Sequence, residues 1–114
     1  MGGNSSLAGS VEAAIDQQLQ SDSVVVYSKS YCPYCKAAEA LLDKVAHKEK
    51  VKVVYLDRMG SDGRAIQGAL LAKTGQRTVP NIFINGRHIG GNDDLQSLHR
   101  KNGLSPLLKE AGAA

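Results

Sequence analysis

Tryptophan is missing from this 114-residue chain, phenylalanine occurs once, and there are only two cysteines and three prolines. So few cysteines exclude a secreted domain stapled by several disulfides, which would carry more of them at wider separations. Whatever Cys32 and Cys35 do is local. The apolar runs are all short, so none reads as a membrane span, and no charged start followed by an apolar core reads as a secretory leader. Aromatics make up 4% of the chain and Lys and Arg are scattered, a poor match to a nucleic-acid surface, although the formal net charge of +3 suits a small anionic partner. The expectation is a cytoplasmic protein with neither a membrane nor a nucleic-acid partner.

What is present reads as globular, because 42% of residues are hydrophobic, 22% are charged and no long polar tract interrupts them. The length suffices for one core. MGGNSS is small and polar and buries little, so residues 1–6 read as a flexible lead and residues 7–114 as the domain. The same start fits the permissive N-myristoylation pattern, which a flexible terminus explains equally well.

Leu7, Val11, Ile15 and Leu19 recur at helical spacing and predict a first helix ending near Ser21. Val24 to Tyr27 is a continuous apolar, β-branched run, the pattern of a central strand buried on both faces. Ala38, Leu41, Leu42 and Val45 stripe a second helix, and Val51 to Leu56 reads as a second strand, parallel to the first because a helix crosses between them. Asp62 is placed to cap a third helix that Gly75 closes, and Asn85-Gly86 signals a two-residue hairpin between Asn81–Ile84 and His88-Ile89. Leu95 and Leu98 mark a fourth helix, and Ser105-Pro106 reads as the cap and first residue of a short fifth. The order α-β-α-β-α-β-β-α-α gives an α/β domain, a four-stranded mixed sheet flanked by helices on both faces, which is the order of the thioredoxin-like fold. Folds host many chemistries, so function has to come from the site.

Cys32 and Cys35 fall where the first strand of the βαβ unit passes into its helix. Unpaired N–H groups and the positive end of the helix dipole favour a thiolate there, and Lys29 and Lys36 add positive charge. Cys32, at the loop edge, is predicted to be the exposed nucleophile, and Cys35, a turn further in, the resolving thiol. A structural zinc needs four ligands, whereas the chain offers this pair plus His47, His88 and His99 in separate elements, so no metal is predicted. A purely structural disulfide would close too short a loop to restrict the unfolded chain.

Lys29, Tyr31 and Cys32-Pro33-Tyr34-Cys35 resemble the active-site segment of the dithiol glutaredoxins. Thr78-Val79-Pro80 and Gly90-Gly91-Asn92-Asp93-Asp94 resemble two further segments of that family in the same order, so the resemblance runs from about Val24 to Leu98. It implies a glutathione-dependent thiol–disulfide oxidoreductase that reduces glutathione mixed disulfides and protein disulfides through a redox-active Cys32–Cys35 pair. Glutathione is then a co-substrate, no other cofactor is required, glutathionylated proteins are the partners, and the molecule works as a monomer.

The resemblance also implies a glutathione site. Lys29 and Gln67 meet the glycyl carboxylate, and Tyr34 flanks the sulfur. Thr78, Val79 and Pro80, with a cis Val79–Pro80 peptide, offer the Val79 backbone to the cysteinyl unit. Gly91, Asn92, Asp93 and Asp94 receive the γ-glutamyl end at a helix start, where N–H groups suit its carboxylate and acidic side chains its ammonium. Two other readings share parts of this picture. A thioredoxin would share the fold, but its Trp-Cys-Gly-Pro-Cys segment is absent. A carrier would hold a [2Fe–2S] cluster between Cys32 of two protomers and two glutathione thiols, but Pro33 stiffens the backbone at that position.

Overall fold

Ser28, the last residue of a fully buried strand, leads within four residues to Cys32 at the start of a helix, and the rest of the architecture supports that junction. The structure is a computed structural model that describes the backbone of residues 3–114 and side-chain surroundings from Gly9 onward. Its elements run α1 (Gly3–Ser21), β1 (Val24–Ser28), α2 (Pro33–Val45), β2 (Val51–Tyr55), α3 (Gly60–Thr74), β3 (Asn81–Ile84), β4 (Arg87–Gly90), α4 (Asn92–Arg100) and α5 (Leu104–Glu110). The predicted order holds. The backbone from Gly3 to Ser6, expected as part of the lead, is assigned to α1, while Met1 and Gly2, where the N-myristoylation pattern begins, lie outside the described residues.

The four strands form one sheet in the order β2-β1-β3-β4, with β1 parallel to β2 and antiparallel to β3. Alternation along β1 divides the core in two. Val24 and Val26 point to the face covered by Leu41 and Leu42 of α2, Leu95 of α4 and Leu104 and Leu108 of α5. Val25 and Tyr27 point to the other face, against Ile15 and Leu19 of α1 and Leu70 of α3. Helices on both faces account for the unbroken apolar run of β1, since neither side of the strand meets water. The hairpin at Asn85-Gly86 forms as predicted, with φ of 53° and 75° at its two turn residues.

Two predicted caps are corrected. Asp62 does not cap α3, which begins at Gly60 with Met59 at the cap position and no side-chain capping bond. The turn Leu56–Arg58 delivers the chain into that helix through main-chain bonds, so Asp62 lies within the first turn, where its charge complements the helix dipole. Ser105 is likewise not the cap of α5, because the helix starts at Leu104 with Gly103 before it and takes Pro106 into its first turn. Leu56, expected at the end of β2, leaves the strand for that 3₁₀ turn and is buried in the α1–α3 side of the core.

Candidate active site

Pro33 occupies the first helical position of α2, which places Cys32 at the N-cap in extended backbone (φ −90°, ψ 116°). The cap uses sulfur in place of oxygen: Cys32 Sγ accepts from the Cys35 backbone N–H at 3.3 Å. It also lies 3.8 Å from the Val79 carbonyl oxygen across the cleft. Cys32 is partly exposed, whereas Cys35 is fully buried, and both thiols are free. Burial pushes the Cys35 thiol up to about 11, and its hydrogen bond with Cys32 acts in the same direction. The Lys29 backbone and the Ser28 hydroxyl oppose that shift without overcoming it. Ser28 in turn donates to Glu39 at 3.1 Å, and the Tyr55 hydroxyl donates to the other Glu39 oxygen at 2.8 Å. A satisfied polar group thus lies behind the buried thiol.

Two hollows share Thr78 and Val79 as a common wall, and Cys32 lines the smaller of them, its sulfur 3.8 Å from the carbonyl of that wall's Val79. One, of about 430 Å³, is lined by Lys29, Tyr31, Cys32, Pro33, Gln67, Arg77, Thr78 and Val79. The other, of about 570 Å³, is lined by Tyr34, Gln76, Thr78, Val79, Pro80 and Gly91 through Asp94. Every residue named as catalytic or glutathione-binding in the sequence therefore lines one hollow or the other, except Cys35, which is sealed beneath them. Tyr31 and Tyr34 stand exposed on either side of Cys32 in the sequence, 67% and 66% accessible, so neither is packed into the surface. The Val79–Pro80 peptide is cis.

The far end of the larger hollow is the start of α4. Its first intrahelical bond runs from Leu95 N–H to the Gly91 carbonyl (3.1 Å), so the N–H groups of Asn92, Asp93 and Asp94 have no helical acceptor. The structure separates the two acidic residues there. Asp94 turns back so that its Oδ2 accepts from Gly91 N–H at 3.0 Å, a capping interaction, while Asp93 is exposed on the cavity wall. Gly90 is tied to this cap. A Cβ there would lie 2.2 Å from Asp94 Oδ2, and its φ of +121° is strained for any other residue.

Two polar side chains that shape the cleft, Gln76 and Asp57, escape a reading of the sequence, and a third, Gln67, has a partner the sequence does not show. Gln76 donates from Nε2 to the Thr78 and Pro80 carbonyls, both at 2.9 Å. Asp57, just after β2, accepts from the Ser30 N–H at 2.9 Å and from the Ser30 hydroxyl, fastening the loop that precedes Cys32. Those two bonds, the hydroxyl first, hold the Asp57 carboxyl below its ordinary value. Gln67, expected to await a carboxylate, donates to the Arg77 carbonyl at 2.9 Å. No local pattern announces such contacts: the Asp57 bonds join positions 27 residues apart, and the Gln76 bonds, though local, depend on the path the loop takes through Val79.

One sulfur at the mouth of a cleft with its partner sealed one turn below, on a thioredoxin-like sheet, puts the chain among the thiol–disulfide oxidoreductases. Comparison with known proteins narrows that class. The glutaredoxin family model matches residues 24–89. A glutaredoxin of Ricinus communis is 55% identical over 95 residues, covering 83% of this chain and 90% of the relative. Glutaredoxin-C2 of Arabidopsis thaliana is 54% identical over 95 residues, covering 83% of each chain. The crystal structure of a buckwheat glutaredoxin–glutathione complex has a TM-score of 0.87 at 44% identity, covering 93% of this chain and 94% of that one. The chain belongs to the glutaredoxin family, and it is an oxidoreductase whose thiol chemistry depends on glutathione.

Proposed function

We propose that the enzyme reduces glutathione mixed disulfides with Cys32 as nucleophile and Cys35 as resolving thiol. The observation that carries this is the placement of the Cys32 sulfur in the smaller hollow, against the Val79 wall it shares with the larger one, while Cys35 stays buried. Glutathione lies across both hollows. Its glycyl carboxylate turns toward Lys29 and Gln67, its cysteinyl main chain pairs with Val79 beside Thr78 and Pro80, and Tyr34 flanks its sulfur. The γ-glutamyl carboxylate meets the free N–H groups at Asn92 to Asp94, next to Gly91, and the ammonium meets Asp93. The exposed carboxylate of Asp93 supports that last assignment, because Asp94 is already engaged in the cap.

The Cys32 thiolate attacks the glutathione sulfur of a glutathionylated protein, the protein leaves as a thiol after taking up a proton, and Cys32 retains glutathione as a mixed disulfide. A second glutathione thiolate attacks that disulfide, releasing oxidised glutathione and regenerating Cys32. With a protein disulfide as substrate, Cys35 attacks the Cys32 mixed disulfide instead and leaves the Cys32–Cys35 disulfide for glutathione to reduce. All proposed groups come from one chain, which supports action as a monomer, and no metal or organic cofactor takes part in any step. The cycle needs a reduced glutathione pool, which fits a reducing compartment such as the cytoplasm. A coupled assay with glutathione, glutathione reductase and a glutathionylated peptide tests the reading. Turnover that needs glutathione is expected, and turnover with thioredoxin reductase in its place would overturn it.

A further inference from the structure

Gln76 lies between the end of α3 and the loop that carries Val79. Its Nε2 donates to the carbonyls of Thr78 and Pro80, each at 2.9 Å, one on either side of Val79. Two carbonyl oxygens can be met only by the NH₂ end of an amide, so these partners determine the orientation of the side chain. The residue is anchored in turn. Its backbone N–H donates to the Thr74 hydroxyl at 3.0 Å, and that hydroxyl donates to the carbonyl of buried Leu70 at 2.8 Å. Gln67 takes the Arg77 carbonyl from the same helix at 2.9 Å. The carbonyls of Arg77, Thr78 and Pro80 are thereby all engaged by amide side chains at or just beyond α3. The Val79 carbonyl instead faces Cys32, 3.8 Å from its sulfur.

We infer that Gln76 is a positioning residue for the disulfide substrate: it clamps the main chain on both sides of Val79, so that Val79 is pre-organised to pair with the backbone of a glutathione unit whose sulfur is held at Cys32. The inference rests on the role of Val79 proposed above and extends it to a side chain that supplies the rigidity. A loop fixed before binding loses no further freedom when the ligand arrives, and that saving appears as affinity. Gln76 reaches no thiol in this arrangement, so its loss acts on substrate binding and leaves the intrinsic reactivity of Cys32 alone.

Gln76→Ala removes the clamp, and Gln76→Glu keeps its shape while setting carboxylate oxygen against the two carbonyls. Each is compared with the parent enzyme for kcat and KM on a glutathionylated peptide, for the rate of Cys32 alkylation by iodoacetamide, and for melting temperature. KM is expected to rise about fivefold in Gln76→Ala and further in Gln76→Glu, with kcat within about twofold. Alkylation is expected at the parent rate in both. Gln76→Met, an apolar chain of similar length with no donor, repeats the Ala result should the Glu variant fail to fold. An unchanged KM in the folded variants beside an active parent overturns the role of Gln76 alone. A fall in alkylation rate and kcat at constant KM also overturns it, by making Gln76 part of the thiol chemistry. A parent enzyme that fails to turn over the glutathionylated peptide counts against the reading of the whole cleft instead.

Discussion

The two walls of the cleft are made of different material. One wall is the loop before α2 and the first turn of that helix, and its chemistry sits in side chains, the thiols of Cys32 and Cys35. The opposite wall is the loop through Val79 and the start of α4, and most of what it offers is main chain: the Val79 backbone and the free N–H groups at Asn92 to Asp94. A side chain that performs a reaction can be deleted outright. Main chain can only be displaced, by disturbing whatever holds it. Substitution of the thiols on the first wall should therefore remove steps of the reaction, and substitutions on the second should change binding.

The largest effects belong to the thiols. Cys32→Ser should abolish reduction of glutathione mixed disulfides and of protein disulfides alike, a loss on the order of 10³-fold or more. Cys35→Ser should retain deglutathionylation to within about threefold, because a second glutathione can resolve the Cys32 adduct, while dithiol-dependent reduction of a protein disulfide falls on the order of 10²-fold. Mass spectrometry after treatment with oxidised glutathione should find one adduct on the Cys35→Ser protein, at Cys32. Loss of both activities in Cys35→Ser, with deglutathionylation preserved in Cys32→Ser, would reverse the assignment of nucleophile and resolving thiol.

The buried thiol should also register in stability. Its value is raised from 9.0 to about 11, so the folded state favours the protonated form more than the unfolded chain does. That contribution is complete below about pH 9 and is lost as pH rises toward 11. Tyr27, raised by burial to about 12, adds a similar loss starting one unit higher. The parent and Cys35→Ser share Tyr27, so the difference between their melting temperatures isolates the thiol. Parent stability should fall more steeply than that of the variant between pH 9 and 11, and parallel profiles would show that Cys35 is not buried as a neutral thiol.

On the recognition wall the expected effects are smaller and the two acidic residues should diverge. Asp93→Ala should raise KM for a glutathionylated peptide about fivefold with little change in kcat or melting temperature, in keeping with one partly exposed ionic contact. Asp94→Ala removes the bond to Gly91 N–H and should cost about 1 kcal/mol of stability, as the loss of a helix cap does. Should Asp93→Ala lower kcat at constant KM, the division between a reacting wall and a binding wall would fail at that position.

The parts of this architecture that were legible in the sequence are those written in local pattern. The unbroken run Val24 to Tyr27 announced a strand buried on both faces, and the hairpin at Asn85-Gly86 required only its two turn residues. The segments around Cys32, Val79 and Asp93, each a short contiguous run in the sequence, are brought by the fold to the same cleft. Cap assignments at Asp62 and Ser105 failed because a capping residue is only a local preference, and main-chain entry from a preceding turn supplied the start of both helices without it. The clamps made by Gln76 and Asp57 left no trace, since a polar residue whose partner is fixed only by the path of a loop or by a distant segment looks like any solvated one. Nor does the sequence show the constraint on Gly90, the Asp94 carboxylate occupying the space where its Cβ would be.

Asp57 offers the finest test of the comparison, because it belongs to the reacting wall yet touches neither thiol. It fastens the loop before Cys32 through two bonds from Ser30, one from N–H and one from the hydroxyl. Both bonds favour the carboxylate, so its carboxyl is held below the ordinary value near 3.9. A lowered folded-state value means that the anchor is intact above the ordinary carboxylate range and is released as pH falls through the lowered one. Asp57→Asn keeps the shape and one carbonyl acceptor but surrenders the charge, and its side chain is fully exposed, so the effect should be slight. The rate of Cys32 alkylation should change by about twofold at neutral pH, because the loop that presents the sulfur gains freedom, while KM for glutathionylated peptide stays that of the parent. Acidification should bring the parent toward the behaviour of the variant. A changed KM at constant alkylation rate would place this loop with the binding wall, and the boundary between the two would have to be redrawn along Lys29 and Tyr31, which line the smaller hollow beside Cys32.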